Sequence, residues 1–463
     1  MHIGLIGVGV MGQNLALNIE RNGFPVAVYD RATEKTRDFL GGKAKGKHIA
    51  GGENIEQFLA LLEPPRRIII LVNAGKPVDD VIGGLKPHLR EGDVLIDCGN
   101  SFFHDTERRA AELSPLGVYF MGSGVSGGEE GALKGPSIMP GGAREAYGLV
   151  APVLQAIAAK VNGEPCCSYI GPRGAGHYVK MVHNGIEYAI MQLICETYDV
   201  LSSGLSLSAL QIADVFERWN ATDLNSYLFE ITVRVLRTMD PDTGKPIVDV
   251  ILDTAEQKGT GKWTSQNAFD LGVPIPTINA AVESRILSGL RAQRLSAAGV
   301  LQGPPRGEKP GAARIASIAD ALHASIIVSY AQGLALLKAA SDEYTYDLKL
   351  NEIAALWRGG CIIRAKILEP IRTTFAKNPP PVNLMVDPGF SVLLNAKQAA
   401  WRETVRLAMS QGIPTLAMAA SLNYYDAYRA SRLPANLLQG QRDFFGAHTY
   451  RRLDKEGTFH TQW

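Results

Sequence analysis

The sequence predicts an α/β Rossmann-type domain, then a large all-α domain, then a C-terminal tail. Short β-branched runs alternate with helical stretches over residues 1–174, long stretches with a helical period follow over residues 175–432, and residues 433–463 show no clear period. A chain of 463 residues is also too long for one core, so more than one domain is expected.

In the first domain, strands are expected at the β-rich runs and helices between them, as around residues 13–21. Such alternation predicts a parallel sheet that is covered on both faces. The candidate strands are residues 3–6, 26–29, 68–72, 94–97 and 118–121.

The second domain is predicted to be helical, with a probable loop at the Gly- and Pro-rich residues 303–311. A weak echo of residues 215–231 in residues 355–371 suggests a duplicated helical unit, although chance would also give it. The tail is either a loose end or an arm that docks on something. The clearest helical patterns are residues 178–201, 207–219 and 224–236.

Charge and composition narrow the class of protein. A formal net charge of +1 argues against a polyanion-binding protein, and the longest apolar runs are too short to span a bilayer. No signal peptide is recognisable at the N-terminus. The five cysteines form no CxxC pair, which argues against a disulfide framework and a zinc site. We therefore expect a cytoplasmic protein without a metal.

A glycine-rich turn, GVGVMG, follows the first predicted strand and opens a helix. Gly7, Gly9 and Gly12 match the G-x-G-x-x-G pattern, in which glycines admit a pyrophosphate to a helix N-terminus. Asp30 ends the second strand, where a carboxylate accepts hydrogen bonds from the ribose of NAD. The adjacent Arg31 could instead hold the 2′-phosphate of NADP, or both could be solvated turn residues.

A polar stripe occupies one face of a helix near residue 180. Lys180, His183, Asn184 and Glu187 follow the i, i+3, i+4, i+7 spacing. On an otherwise apolar helix such a stripe faces a cleft, where Lys180 could act as general base and Glu187 as general acid. A solvated helix face with a Lys–Glu pair is the alternative.

Three further segments could bind anions, although each could also be solvent-exposed surface that binds nothing. A glycine- and serine-rich loop at residues 122–128 follows a strand, and residues 257–263 read QKGTGKW. Near the end, Arg442 and His448 stand six residues apart, and arginine suits bidentate phosphate binding.

Together these motifs resemble the 6-phosphogluconate dehydrogenase family, and the match covers essentially the whole chain. The motifs in order are GVGVMGQN (7–14), GSGVSGGEEG (122–131), GAGHYVKMVHNGIEY (174–188), QKGTGKW (257–263) and QRDFFGAHTY (441–450). The resemblance implies a decarboxylating oxidation of 6-phosphogluconate to ribulose 5-phosphate and CO2 in the pentose phosphate pathway, with Lys180 as base and then acid and Glu187 as acid. It also implies a homodimer whose tails reach the partner's active site.

The resemblance further implies which residues hold each ligand. Arg442 and His448 would come from the partner subunit, and Asn100 would lie between cofactor and substrate. The substrate residues would be Asn100, Ser126, Gly127, Gly128, His183, Asn184, Tyr188, Lys258, Thr260, Arg285, Arg442 and His448. The cofactor residues would be Gly7, Gly9, Val10, Met11, Gly12, Asp30, Arg31, Val72, Asn73, Ala74 and Asn100.

The sequence departs from the family pattern at three positions. Asp30 stands where NADP-specific members carry Asn, Asn73 where Lys is common, and Glu256 where a small residue is usual. NADP is the family's usual cofactor, but Asp30 leaves NAD equally open. The alternatives are a β-hydroxyacid dehydrogenase for a non-phosphorylated acid, against which Lys258, Arg285 and Arg442 speak, and a non-enzymatic relative, against which Lys180 and Glu187 speak.

Overall fold

The computed structural model describes residues 1–305 and 312–463, so the predicted loop at 303–311 lies mostly outside the described residues. The first part of the chain forms a seven-stranded sheet in the order β3-β2-β1-β4-β5-β6-β7. The strands are β1 (Ile3–Ile6), β2 (Val26–Tyr29), β3 (Ile49–Gly51), β4 (Arg67–Ile70), β5 (Val94–Asp97), β6 (Tyr119–Ser126) and β7 (Ser137–Gly141).

All five predicted strands are confirmed, three of them with the same bounds. The predicted parallel sheet is confirmed for β1 to β6, and one further strand that was not predicted, β7, pairs with β6 in the antiparallel direction. The sequence prediction also missed β3. A short hairpin, β8 (Lys160–Val161) and β9 (Glu164–Pro165), follows the sheet.

Helices cover both faces of the sheet, as predicted. Alternate residues of the strands enter two different cores: Leu5 and Val28 lie in one, whereas Ile6 and Ala27 lie in the other. Burial on both faces explains why these strands read as continuous apolar runs. The helices are α1 (Val10–Arg21), α2 (Thr33–Gly41), α3 (Ile55–Ala60), α4 (Lys76–Leu85), α5 (Phe103–Leu113), α6 (Gly128–Lys134) and α7 (Arg144–Ile157).

The second part is helical and shares one large apolar core. The predicted helices at 178–201, 207–219 and 224–236 are confirmed with small shifts of their ends. The elements are α8 (Ala175–Asp199), α9 (Ala209–Asn220), α10 (Tyr227–Arg237), α11 (Thr260–Asp270), α12 (Pro276–Gly289), α13 (Arg291–Ala298), α14 (Ala312–Glu343), α15 (Leu350–Leu356), α16 (Leu368–Phe375), α17 (Pro388–Ser410) and α18 (Leu416–Arg429).

The two segments of the suspected repeat occupy equivalent places in the order of the helices. Residues 215–231 run from α9 into α10, residues 355–371 run from α15 into α16, and the connecting stretches meet at a bridge between Ser226 and Ala365. Each pair also follows one of the long helices α8 and α14. An internal duplication would give this order, and it stays a prediction.

Among residues 1–305 and 312–463, one helix is long and apolar enough to cross a membrane by length and composition alone. It comprises Ala313–Glu343, and 78% of its most apolar window is buried inside the protein. It packs against α8 and α17 in the helical core. Such burial is typical of a core helix, although the sequence prediction had found no apolar run of this length.

The expectation of a tail without helical period is wrong. Residues Ala435–Gly446 form helix α19. Leu437 and Leu438 recur seven residues later as Phe444 and Phe445, so they return to one helix face, and all four are exposed. The flanking glycines and arginines hid this period in the sequence.

Candidate active site

The glycine-rich turn between β1 and α1 has the geometry that the motif predicts. Gly7 has a φ of +104°, and a Cβ there would lie 2.3 Å from the carbonyl oxygen of Leu71. A Cβ on Gly12 would lie 1.8 Å from the carbonyl oxygen of Gly7. A Cβ on Gly9, by contrast, would meet no atom of the described residues within 4 Å. The space above the N-terminus of α1 is therefore open, as binding of a diphosphate requires.

Asp30 uses both carboxylate oxygens within the protein. One accepts a hydrogen bond from the amide of Val8 at 2.8 Å, and the other from the amide of Ala32 at 3.0 Å. The carboxylate thereby ties the glycine turn to the end of β2. Arg31 beside it is exposed.

The ends of β4 and β5 complete this edge of the sheet. Val72 contacts the glycine turn, since its Cγ1 would lie 3.1 Å from a Cβ on Gly7, and the carbonyl of Val72 lies close to Gly99. The remaining predicted cofactor residues lie on the same rim. Val10, Asn73, Ala74 and Asn100 are exposed, and Met11 is half-buried. Asn100 lies three residues after the end of β5.

The predicted polar stripe of α8 lies inside the protein, not on a solvated face. Lys180, His183 and Asn184 are buried, and Glu187 is 19% exposed. Nζ of Lys180 lies 3.5 Å from Nδ1 of His183. The same Nδ1 lies 3.1 Å from Oδ1 of Asn184 and 3.7 Å from a carboxylate oxygen of Glu187. All four side chains therefore meet around one imidazole.

The glycine- and serine-rich loop packs directly against this stripe. Nε2 of His183 lies 3.3 Å from Oγ of Ser126, which also accepts a hydrogen bond from the amide of Ile362 at 3.4 Å. Gly127 and Gly128 follow with φ angles of +134° and +61°, at the start of α6. The loop thus places a hydroxyl and the N-terminus of α6 beside the polar stripe of α8.

For Lys180 and Glu187, burial favours the neutral form, whereas the neighbouring charges favour the charged form. Burial lowers the pKa of Lys180, against the raising effect of the nearby Glu187. Burial also raises the pKa of Glu187, against the lowering effects of Lys180 and Arg285. The pKa of His183 is held well below its usual value, first by burial and then by Lys180. A lysine pushed toward its neutral form and a carboxyl pushed toward its protonated form suit a base and an acid.

Of the predicted phosphate residues, Tyr188 lies on α8 directly after Glu187, and the others come from the segment before α11, from α11 and from α12. The guanidinium carbon of Arg285 lies 3.4 Å from the centre of the Tyr188 ring. Tyr188 in turn touches Gly261, where a Cβ would lie 2.6 Å from the ring. Thr260 is buried at the first position of α11, and Lys258 is exposed just before it. Arg285, Tyr188 and the QKGTGKW segment therefore form one wall.

Arg442 and His448 are not brought to this site within one chain. Arg442 is exposed and donates to Gln439 at 3.1 Å, and the exposed His448 lies against Phe445. Within residues 1–305 and 312–463, no hydrogen bond or ion pair joins either residue to α8.

Sequence reasoning missed two contributors to the site. Residues 360–362 close over the loop, since the carbonyl of Gly360 would lie 2.5 Å from a Cβ on Gly127. His177 lies one turn before Lys180 on the same face of α8, fully buried, with Nδ1 2.6 Å from Oγ1 of Thr106. Its i−3 spacing was a usable signal, whereas nothing in the sequence links residue 360 to residue 127.

Comparison with known proteins identifies the family. Two family models match the chain: the NAD binding domain of 6-phosphogluconate dehydrogenase over residues 2–171, and the C-terminal domain of the same enzyme over residues 176–463. The chain belongs to the 6-phosphogluconate dehydrogenase family. The predictions of the family, the fold class and a decarboxylating 6-phosphogluconate dehydrogenase as the enzyme are thereby confirmed.

Individual relatives agree over their whole length. The NADP-dependent, decarboxylating 6-phosphogluconate dehydrogenase of Bacillus subtilis is 54% identical over 100% of this chain and 98% of its own. The decarboxylating enzyme of Escherichia coli K12 is 52% identical over the same shares. The Plasmodium falciparum 6-phosphogluconate dehydrogenase, whose structures include complexes with NADP+ and with 6-phosphogluconate, superposes with a TM-score of 0.94 at 42% identity over 100% of both chains.

Proposed function

We propose that the oxidation and decarboxylation of 6-phosphogluconate take place at the α8 stripe, with Lys180 as the base. The observation that supports this is the burial of Lys180 beside His183 and Glu187, under the loop that carries Ser126. The bound nicotinamide supplies the hydride acceptor. Lys180 takes the proton of the C3 hydroxyl as the hydride leaves C3, which gives a 3-keto acid.

The second half of the reaction uses the same two groups. The 3-keto acid loses CO2 because the ketone accepts the electrons of the breaking C1–C2 bond and becomes an enol. Protonated Lys180 returns its proton to that oxygen. Glu187 then protonates the carbon that lost CO2, while the enol hydroxyl gives its proton to neutral Lys180 and becomes the ketose carbonyl. Transfer of that proton from Lys180 to the Glu187 carboxylate restores both groups. Ser126, Gly127, Gly128, His183 and Asn184 hold the carboxylate and hydroxyls in this proposal, with Asn100 at the cofactor side, while Tyr188, Lys258, Thr260 and Arg285 hold the phosphate.

The reaction is tested by following reduced nicotinamide, CO2 and ribulose 5-phosphate in parallel. Lys180→Met is expected to lose turnover by a factor of about a thousand or more while still binding substrate. Formation of reduced cofactor by this variant at the parental rate would contradict the assignment of the base.

We further propose that NADP is the preferred cofactor and that Arg31 holds its 2′-phosphate. Both oxygens of Asp30 are engaged by backbone amides, so this carboxylate has a structural task that does not require NAD. The negative charge of Asp30 nevertheless lowers the preference for NADP over NAD. Arg31→Ala should therefore raise KM for NADP and leave KM for NAD unchanged, whereas Asp30→Asn should raise the ratio of NADP to NAD activity. Stronger NAD activity than NADP activity in the parental enzyme would overturn the proposal.

We also propose a homodimer in which Arg442 and His448 enter the partner's active site. The support is that both residues are exposed and far from α8 in sequence. Arg442 lies on α19, whose apolar face is exposed in the single chain, and His448 follows two residues after the end of that helix. Lys180→Met and Arg442→Ala protomers can be mixed, unfolded and refolded together. If the site is shared, each mixed dimer has one site with both residues intact, and activity returns. If Arg442 acts within its own chain, mixing restores nothing.

We also propose that the protein is cytoplasmic and that its chain divides into three parts, at residues 1–174, 175–432 and 433–463. All five cysteines are unpaired thiols, and four of them are buried, which suits a reducing compartment. Fractionation of the native host, with the activity assayed in each fraction, tests the location.

A further inference from the structure

Asp443 is a buried carboxylate in an otherwise exposed segment. Its side chain is fully enclosed, while its neighbours Arg442 and Phe444 on α19 are exposed. Isolated charges are not buried without partners, because removing them from water is costly. The burial of the Asp443 carboxylate on an otherwise exposed helix therefore requires an explanation.

Four donors from distant parts of the tail converge on this carboxylate. One oxygen accepts from the amide of Thr449 and from Nδ1 of His460, both at 2.9 Å. The other accepts from the amide of Thr461 and from Nε1 of Trp463, both at 3.0 Å. These bonds hold the pKa of Asp443 at about 2, so the carboxylate is ionised at working pH and its bonds are charge-assisted.

The bonds fix a strained turn on either side of His448. Ala447 and Thr449 have φ angles of +49° and +61°, a region that non-glycine residues seldom adopt. The amide of Ala447 bonds to the carbonyl of Asp443 and the amide of Thr449 bonds to its carboxylate. Asp443 thus accepts hydrogen bonds from this turn through both its main-chain carbonyl and its carboxylate. Positive φ angles at non-glycine residues persist only where surrounding contacts hold them in place.

We propose that Asp443 is a positioning residue for the substrate, which fixes Arg442 and His448 relative to each other and locks the chain end at Trp463 onto α19. The proposal rests on the proposed shared active site, because Arg442 and His448 reach substrate only in the partner subunit. Asp443 itself touches no substrate and acts through its neighbour in the chain and through the 447–449 turn.

Asp443→Asn tests this with the shape of the side chain retained. The amide group places a donor against donors, so at least one of the two pairs of bonds is lost. We expect KM for 6-phosphogluconate to rise about tenfold or more, as loss of charge-assisted bonds of this kind gives. KM for the dinucleotide should stay within about twofold. Asp454→Asn, on the same segment and paired with Arg452 at the surface, is the control and should leave both constants unchanged.

Trp463→Phe provides a second, milder variant. It removes only the indole N–H and keeps an aromatic ring against Phe444. It should raise KM for 6-phosphogluconate in the same direction by a smaller factor, even if Asp443→Asn does not fold. An unchanged KM in Trp463→Phe and in a folded Asp443→Asn variant would overturn the proposal.

A double-variant cycle separates positioning from general stability. If Asp443 acts through Arg442 and His448, adding Asp443→Asn to an Arg442→Ala, His448→Ala background raises KM no further. Additive increases would show a merely structural role and refute the proposal. If the Arg442→Ala, His448→Ala protein itself keeps the parental KM, then the shared site has failed, and the inference about Asp443 falls with it.

Discussion

Gly124 of β6 and Lys180 of α8 are in direct contact. A Cβ on Gly124 would lie 2.3 Å from Cβ of Lys180 and 2.8 Å from its Cγ. The absence of a side chain on Gly124 is therefore what lets Lys180 lie against β6 and the loop at residues 122–128. Because the two atoms that collide are close to the backbone, the lysine cannot turn aside without moving α8.

Gly124→Ala is accordingly expected to displace Lys180 and lower kcat by about a hundredfold or more, as misplacement by about an ångström does. Gly148→Ala is a matched control, since Gly148 is exposed within α7 and a Cβ there would meet no described atom within 4 Å. The control should keep full activity and gain about 0.5–1 kcal/mol in unfolding free energy. Steady-state kinetics and thermal unfolding of both variants measure these effects. Parental kcat in Gly124→Ala would show that the lysine tolerates the shift.

The charge of Glu187 predicts a shift in the pH dependence. Burial lowers the pKa of Lys180, and Glu187 opposes that effect when ionised. Glu187→Gln removes the opposition, so the pKa of Lys180 falls further and its neutral, basic form persists to lower pH. The rising limb of kcat/KM for the residual activity should therefore move to lower pH. Glu283→Gln, an exposed change on α12, should leave the limb in place, and a shift to higher pH in Glu187→Gln would contradict this electrostatic account.

Lys180→Met should stabilise the fold while it abolishes turnover. The folded protein lowers the pKa of Lys180, so the unfolded chain binds the proton more tightly, and parental stability falls as pH drops from about 10 toward the lowered pKa. Methionine carries no such cost, so its gain should grow over that window and reach about 1 kcal/mol or more near neutrality. Denaturant unfolding at several pH values tests this. Lys262→Met, at an exposed position of α11, should change stability by less than about 0.5 kcal/mol.

Local signals explain which parts of the fold could be predicted. β1, β2 and β5 are compact apolar runs between turns, so their bounds follow from sequence alone. β7 reads SIMPG, with a proline and a glycine that weaken any strand prediction, and it is a strand because it pairs with β6, as in the pair Ser123 and Pro140. Tertiary pairing decides such elements, and no window of sequence contains it.

The residues of the site likewise divide into those that the sequence predicts and those that it does not. The stripe from Lys180 to Glu187 lies within one helix, so its spacing alone predicted one face. Arg285 lies about a hundred residues further on, in α12, and only the family resemblance linked it to Tyr188. The contact of Ile362 with Ser126 spans 236 residues and had no signal at all. Local periodicity finds the residues of one element, whereas residues that converge from separate elements need a structure or a relative.

The stacking of Arg285 on Tyr188 predicts how the phosphate is recognised. With its guanidinium carbon 3.4 Å from the ring centre, Arg285 is held flat against Tyr188, while its Nη2 donates to Sδ of Met191 at 3.5 Å. A guanidinium held in this way can present an edge to a phosphate. Arg285→Lys keeps the charge but loses the planar fork, so KM for 6-phosphogluconate should rise about tenfold. The slow oxidation of gluconate, which has no phosphate, should be unaffected. Arg291→Lys, on α13, where the partly exposed side chain pairs with Asp253, is the control and should change neither. An equal loss with both substrates in Arg285→Lys would mean that this residue supports the fold of the wall and does not bind the phosphate.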